Sequence, residues 1–156
     1  MKSTYLFFLF LVSGCNANHN TAFINSQKLF VNYSGAQFEH KKLLEKAHGW
    51  QSNIDSLNSE LSIASSESRG NKEKEILHYR QAIQEKAQSE EAHSNQVILG
   101  EINGYIKYYG KEKGYDFILG ATDNGNIVYA AEGKDITEEV LAGLNKQYDQ
   151  QHSTHR

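Results

Sequence analysis

The sequence predicts an α+β fold in which a small β-body carries a long, protruding antiparallel α-helical coiled-coil hairpin. Apolar side chains between Leu43 and Ala64 recur at alternating intervals of four and three residues, which is typical of a helix in a coiled coil. The chain contains no proline, a residue that breaks helix interiors, so the composition is compatible with long uninterrupted helices. Two β-prone runs flank Asn124-Gly125, a dipeptide that favours a hairpin turn.

Length and composition exclude several classes of protein. The chain has 156 residues, which is enough for one domain of ordinary size. A single cysteine cannot form an internal disulfide, so packing must hold the fold together. Sixteen Lys and Arg stand against nineteen Asp and Glu, for a formal charge of −3. This balance disfavours a protein whose main task is to bind nucleic-acid phosphates.

Residues 1–14 are typical of a signal peptide. A cation at Lys2 precedes a short apolar run that falls well below the roughly 20 residues needed to span a bilayer. The segment that ends in Cys15 resembles a lipobox, so we predict lipid attachment at Cys15; an ordinary secretion signal with an incidental cysteine is the alternative. Removing residues 1–14 takes away one positive charge and no negative one, which leaves the mature chain at −4. Residues 15–20 form a polar tether, and the absence of Asp at position 16 favours the outer membrane.

The segment 21–35 predicts the first part of the body. Its first residues are β-prone and apolar at the centre, around Phe23 and Ile24. Ser26 is a candidate cap for a short helix, which Ser34-Gly35 is expected to end.

Residues 36–113 predict the arm. The strict 3.5-residue repeat of the first helix, over about residues 36–68, indicates a narrow seam against a partner helix. Gly70-Asn71 is the expected turn, and a second helix follows over about residues 72–113. At 1.5 Å per residue the first helix is roughly 50 Å long, so the arm should project into solvent. The predicted seam residues are Leu43, Ala47, Trp50, Ile54, Leu57, Leu61, Ile98, Ile102, Tyr105 and Tyr109.

Residues 114–150 predict the rest of the body. The β-prone runs on either side of Asn124-Gly125 should pair as an antiparallel hairpin, and Asp135-Ile136-Thr137 leads into a last helix. Three strands and two short helices make a small core, so we expect the body to oligomerise. Residues 151–156 are a polar tail.

The sequence contains no catalytic motif. It has no Gly-rich phosphate loop and no GxSxG or HExxH pattern, so we predict neither an enzyme nor a cofactor. Glu45-x-x-His48 and Glu90-x-x-His93 lie on opposite helices of the arm, as ligand motifs do in di-iron bundles. Because Glu45 and His48 fall outside the seam, we predict solvated Glu–His pairs and no metal. A helical metal site is the alternative.

Four short patterns carry a resemblance to a known family. They are Ala22-Phe23-Ile24-Asn25, the run GYDFILG at residues 114–120, Gly125-Asn126-Ile127-Val128-Tyr129-Ala130, and Asp135-Ile136-Thr137. With the heptad hairpin between them, residues 21–150 resemble the Skp/OmpH family of periplasmic chaperones. The resemblance implies a homotrimer whose arms enclose a cavity that holds unfolded outer-membrane or envelope proteins without ATP. The residues expected in its trimer body are Phe23, Ile24, Phe117, Leu119, Val128 and Tyr129.

A second hypothesis belongs to a different functional class. A lipoprotein with these arms is also suited to be a structural coiled-coil adaptor that binds one specific envelope partner. The best-known members of the family are strongly basic and soluble, whereas this mature chain stands at −4 and carries a predicted anchor. The expected location is the periplasm, with the lipid in the outer membrane.

Overall fold

A computed structural model describes residues 19–122 and 125–153. The predicted signal peptide, Cys15 and most of the tether lie outside the described residues, as do the predicted turn residues Asp123 and Asn124 and the end of the tail. Every helix within the described ranges is too short or too polar to cross a membrane. The elements are β1 (Thr21–Asn25), α1 (Ser26–Asn32), α2 (Ser34–Ile63), α3 (Ser66–Lys113), β2 (Phe117–Ala121) and α4 (Thr137–His152).

The sheet consists of β1 and β2, which pair in parallel. Thr21 lies opposite Phe117 at one end of the pair and Asn25 opposite Ala121 at the other. Parallel strands need a long crossover, and here the crossover contains the whole arm. On the opposite edge of β1, the backbone N–H of Phe23 donates to the Lys134 carbonyl at 2.9 Å, and that of Ile136 donates to the Phe23 carbonyl at 3.0 Å. The residues before α4 therefore flank β1 on its second side.

The predicted hairpin is wrong for the described part of the chain. Residues 127–131 form no strand there, and β2 pairs with β1 instead. The Asn126 side chain accepts from the Thr122 N–H and donates to the Gly120 carbonyl, both at 2.7 Å. This local bonding folds the chain back at the end of β2 without a second ladder. Two strands are present in the described residues, where three were predicted.

The predicted turn of the arm is also misplaced. The chain breaks at Ala64 and Ser65, which are extended, and Gly70-Asn71 lies inside α3. The Ser65 carbonyl accepts from the N–H groups of Ser68 at 3.1 Å and Arg69 at 3.0 Å, which starts α3. The Ser65 side chain makes no capping bond to the helix, but the Ser68 hydroxyl donates to the Ser65 carbonyl at 3.3 Å. A helix accommodates one glycine, such as Gly70, at a cost of up to about 1 kcal/mol.

Side chains near the beginning and near the end of the described chain cap the first turns of α1 and α4. Asn25, rather than the predicted Ser26, caps α1, since its Oδ1 accepts from the Lys28 N–H at 2.9 Å. At α4, Asp135 Oδ1 accepts from the Thr137 N–H at 2.9 Å. The Thr137 hydroxyl in turn accepts from the Asn25 N–H at 2.8 Å. These bonds join the start of α4 to the end of β1.

The body has a compact apolar core within one chain. The carboxyl-terminal part of α3 supplies Ile98, Ile102 and Tyr109, which the heptad pattern had assigned to the arm seam. This contribution gives the body more apolar packing than the small strands and short helices alone would provide. The core residues are Ala22, Ile24, Leu29, Tyr33, Ala36, Ile98, Ile102, Tyr109, Ile136, Val140 and Leu144.

Candidate functional site: the arm and the exposed faces of the body

Polar contacts join the two helices of the arm along its length. Lys46 Nζ lies 2.6 Å from Glu90 Oε2, and Asn53 Nδ2 donates to the Tyr79 hydroxyl at 2.9 Å. Nearer the tip, Lys72 Nζ lies 2.6 Å from Glu60 Oε2. The hydrogen bond from Lys46 lowers the pKa of the Glu90 carboxyl. These exposed pairs set the register of the helices more than they stabilise them, because surface ion pairs contribute little.

The predicted seam of the arm is thinly buried. In α2 only Gly35 and Ala36 are fully buried, whereas the seam residue Ala47 is exposed. In α3 the buried apolar residues lie at Ile76 and then from Ile98 onwards, so the middle of the arm has no fully buried apolar side chain. The half-buried seam residues are Leu43, Trp50, Ile54, Leu57, Leu61 and Tyr105.

A cavity of about 360 Å³ lies between α2 and α3 on the body side of the arm. Two ion pairs belong to its lining: Lys42 with Glu39 at 2.8 Å, and Lys46 with Glu90 at 2.6 Å. Ser94 is 4% exposed. The lining residues are Glu39, Lys42, Leu43, Lys46, Glu90, His93, Ser94 and Val97.

The two Glu-x-x-His motifs do not come together as a metal site in the described residues. Glu45 and His48 are exposed, and Glu90 is paired with Lys46. No group of three or more His, Cys, Asp or Glu side chains within 19–122 and 125–153 has an arrangement that could hold a metal ion.

Two tyrosines connect the base of the arm to the body. The Tyr33 hydroxyl donates to Glu101 Oε2 at 2.8 Å, and the Tyr109 hydroxyl donates to Glu139 Oε2 at 2.5 Å. Burial, followed by the bond to the neighbouring carboxylate, raises the pKa of both phenols well above the ordinary value. Both phenols therefore stay protonated as donors at neutral pH and hold α3 against the helices on either side.

The predicted body residues divide into a buried and an exposed group. Ile24 is part of the core and Phe23 is half-buried. Val128 and Tyr129, by contrast, are 96% and 86% exposed. A groove of about 390 Å³ runs between the sheet and this exposed segment. The large apolar residues exposed on this part of the body are Phe117, Leu119, Val128 and Tyr129.

Sequence reasoning missed two structural positions. Asn145 accepts from the Ser34 N–H at 2.8 Å and donates to the Asn32 carbonyl at 3.2 Å, which fixes the α1–α2 junction to α4. Ser94 was overlooked because a serine in a polar helix carries no signal of burial. Its position four residues before Ile98, on the same helix face, is the only hint in the sequence.

Comparisons with known proteins match this architecture. The family model described as "Outer membrane protein (OmpH-like)" matches residues 20–144. The chain is 44% identical over 64 residues to "Outer membrane protein 26" of Haemophilus influenzae, which covers 41% of this chain and 29% of that protein. It is 33% identical over 98 residues to "Chaperone protein Skp" of Photorhabdus laumondii, which covers 58% of each. The matches thus span less than two thirds of these curated relatives.

A solved structure shares the fold. It is described as an OmpH-like outer membrane chaperone from Caulobacter crescentus CB15. The TM-score is 0.53 at 14% sequence identity, with 84% of this chain and 86% of the other covered. At this identity the likeness concerns the fold alone, which is mostly helical with long helices and a small sheet.

Proposed function

The chain belongs to the OmpH-like outer membrane protein family, and from that membership we propose that it is an ATP-independent holdase of the periplasm. In this proposal, three copies form a trimer whose arms enclose unfolded outer-membrane or envelope proteins. The family consists of non-enzymatic chaperones, and the chain is not an enzyme. The relative from Photorhabdus laumondii is itself named a chaperone.

The observation that carries the proposal is the exposed apolar surface of the body. Val128 and Tyr129 stand almost free of their own chain, and Tyr129 lines one groove together with Leu119 of β2. Contiguous exposed apolar surface marks an interaction site. The outer edge of β2 pairs with no other strand in the described residues, and such an edge readily accepts one more strand. We infer that residues 127–131 of one copy pair with a neighbouring copy, where they become the third predicted strand.

The arms suit the holding of an unfolded chain. A barrel protein outside lipid cannot close its strands or bury its apolar face, so it aggregates unless it is sheltered. Arms with polar surfaces and a thinly buried middle can surround such a chain through many weak contacts. Because the mature chain carries a charge of −4, the proposal does not rely on attraction between a basic arm and acidic clients.

The proposed location is the periplasmic side of the outer membrane, with Cys15 as the lipid anchor. Asn20, at the end of the tether, is fixed to the start of β2. Its N–H donates to Asp116 Oδ2 at 2.8 Å, and its carbonyl accepts from the Asp116 N–H at 2.9 Å. The tether therefore leaves the body beside Asp116. Labelling with a radioactive fatty acid, with Cys15→Ser as the control, tests the anchor.

Aggregation of an unfolded barrel protein tests the holdase activity. A urea-unfolded client is diluted with and without the purified chain, and light scattering is followed. The proposal predicts suppression at a trimer-to-client ratio near one, without nucleotide. Unchanged scattering at several-fold molar excess would reject the holdase. Recovery of one stoichiometric partner from envelope extracts, with no varied set of barrels, would favour the adaptor instead.

A further inference from the structure

The last turns of α3 present a small basic face to solvent. Lys107 and Lys111 are four residues apart and Tyr108 is three residues before Lys111, so the three side chains share one side of the helix. The buried residues Ile102 and Tyr109 lie on the opposite side. The two lysines are exposed, as is Tyr108, to 58%. These three residues are called the basic face below.

The lysines of the basic face are available to an external anion. Neither forms an ion pair within residues 19–122 and 125–153, where the lysines that do are Lys28, Lys42, Lys46 and Lys72. Between residues 102 and 115, three lysines stand against one acidic residue, Glu112. The third lysine, Lys113, lies over the Tyr109 ring on the other side of the helix. In a mature chain of charge −4, this stretch is a local excess of positive charge.

The predicted lipid tether reaches the body beside the basic face. The Asn20 side chain donates to the Gly114 carbonyl at 3.2 Å, directly after the end of α3. Lys111 is three residues before Gly114, which is about 4.5 Å along a helix axis. Cys15 is five residues before Asn20, so the tether spans at most about 18 Å when it is extended. A lipid on Cys15 therefore holds the end of α3 close to the membrane surface.

We propose that the basic face binds the anionic phospholipid headgroups of the membrane that carries the anchor. The inference rests on the location proposed above and is independent of the holdase mechanism. Lysines close to an anionic surface are attracted to it, and an exposed tyrosine suits the interface because its ring is apolar and its hydroxyl is polar. Because the rest of the mature chain is acidic, the same surface repels it and so orients the body with the basic face towards the lipid.

The test attaches the mature chain, residues 15–156, to vesicles through Cys15. This chain contains every core residue, and Cys15 is the single cysteine of the sequence. A maleimide-bearing lipid in the vesicle forms a thioether with its thiol, which reproduces the short tether without depending on lipid attachment in cells. Vesicles of phosphatidylcholine with and without phosphatidylglycerol are compared. Acetylation of lysine amines, read by mass spectrometry, reports which lysines the lipid covers.

Phosphatidylglycerol should protect the basic face selectively. Acetylation of Lys107 and Lys111 should slow by up to about 25-fold, since each lysine contributes about fivefold. Lys146, an exposed lysine of α4, should react as before. Salt at about 1 M should remove the protection, because it shortens the range of electrostatic attraction to about 3 Å.

Two variants test the position of the charge. Lys111→Gln should reduce the protection of Lys107 to about fivefold, because one of the two lysines is lost. Lys146→Gln is the matched control, with the same change in net charge, and should leave the protection of Lys107 intact. Circular dichroism checks that both variants keep the helix content of the wild type.

The contrary results are equally specific. Equal acetylation of Lys107 in the two kinds of vesicle would overturn the basic face. Equal protection of Lys107 and Lys146, or the same effect of Lys111→Gln and Lys146→Gln, would overturn it as well, since the attraction would then depend on net charge alone. Protection of Lys107 by an unfolded barrel protein without vesicles would assign the face to clients and overturn the lipid assignment.

Further measurements separate this inference from the proposed function. Suppression of barrel aggregation by a chain whose Lys107 is not protected overturns the basic face alone and leaves the holdase in place. Protection in a chain that does not suppress aggregation leaves the basic face in place and overturns the holdase. Absence of fatty-acid label on Cys15 overturns the anchor, and with it the membrane contact in cells, whatever the vesicles show.

Discussion

Two glycines illustrate how the same residue serves different purposes in this molecule. An added Cβ at Gly100 would have no neighbour within 4 Å, whereas at Gly143 it would lie 1.8 Å from the Tyr105 hydroxyl. Gly143 therefore allows α4 to approach α3 closely. At Gly100 no neighbour in the described part of the chain requires a glycine.

The two glycines give opposite predictions for stability. Gly100→Ala should raise the free energy of unfolding by up to about 1 kcal/mol, because Ala is the better helix former. Gly143→Ala should lower it by about 1–3 kcal/mol, because the Tyr105 ring must move. Urea unfolding measures both. In a Tyr105→Ala background the penalty of Gly143→Ala should largely disappear, and its persistence would contradict the assigned contact.

We expect the protein to lose stability at alkaline pH because Tyr33 and Tyr109 are buried. The pKa values of Tyr33 and Tyr109 lie above the ordinary value of 10. Above about pH 10 the unfolded chain loses phenolic protons that the folded chain retains. Their stabilising contribution is therefore complete below that pH and declines as the pH rises beyond it.

Ultraviolet absorbance of phenolate, followed together with circular dichroism, checks this expectation. Two tyrosines should ionise last, in step with the loss of helix signal. Tyr109→Phe should remove one of the late-ionising groups. Ionisation of all tyrosines near pH 10, with the helix signal intact, would contradict the burial of these phenols.

At the scale of the elements, a few buried side chains hold the two helices of the arm together, and the side chains between them are only half-buried. Ile76 is 6% exposed, and it is a buried apolar residue near the tip, whereas its neighbour Leu77 is 56% exposed. The tip and the body-side end of the arm are thus packed separately. The middle relies on half-buried side chains and on pairs such as Lys46 with Glu90.

Ile76→Ala should loosen the tip and leave the body unchanged. We expect a local loss of about 2 kcal/mol, at the lower end for a buried isoleucine because the surroundings are thin. Hydrogen exchange should accelerate at residues 54–80 and stay constant in the core of the body. Leu77→Ala is the matched control, with an effect within about 0.5 kcal/mol. Equal acceleration of arm and body would show that they unfold as one unit.

The elements also show what a single sequence can predict. The arm was found because its heptad pattern repeats over many residues in one local stretch. The β1–β2 pair was missed because its strands are separated by the whole arm, and parallel pairing leaves no local turn signal. The misplaced turn has a local cause: Gly70-Asn71 is a strong turn signal in the sequence, yet a helix accommodates a single glycine at modest cost, and the Ser65 side chain makes no capping bond at the actual break.

The candidate site was less visible to sequence analysis than the fold. The sequence pattern around Val128 and Tyr129 predicts a strand. Whether these two side chains are exposed depends on which strand pairs with β2. The burial of Ser94 depends on the way α2 and α3 are aligned. Neither property follows from the residue type alone, since each arises from contacts between distant parts of the chain.

At the scale of the whole molecule, the core and the proposed contact between copies use different residues. The core combines both ends of the chain with the end of α3, so it does not require a second copy. Val128 and Tyr129 are not among the core residues. A change in this exposed segment can therefore separate assembly from folding.

Tyr129→Lys tests that separation. The wild-type chain should have the mass of a trimer by light scattering, and the variant that of a monomer, because a buried ammonium at the contact is costly. The helix signal of the variant should be unchanged, since Tyr129 is 86% exposed in one copy. Suppression of barrel aggregation should be lost, because one pair of helices cannot enclose a client.

The matched control is Tyr108→Lys, at an exposed tyrosine of α3, which should keep both the mass and the suppression. A monomeric wild-type chain, or a Tyr129→Lys variant that stays trimeric, would contradict the proposed assembly. A monomeric variant that still suppresses aggregation would preserve the assembly but reject enclosure. The arm would then have to hold its client on one copy, and the trimer would only multiply the number of arms.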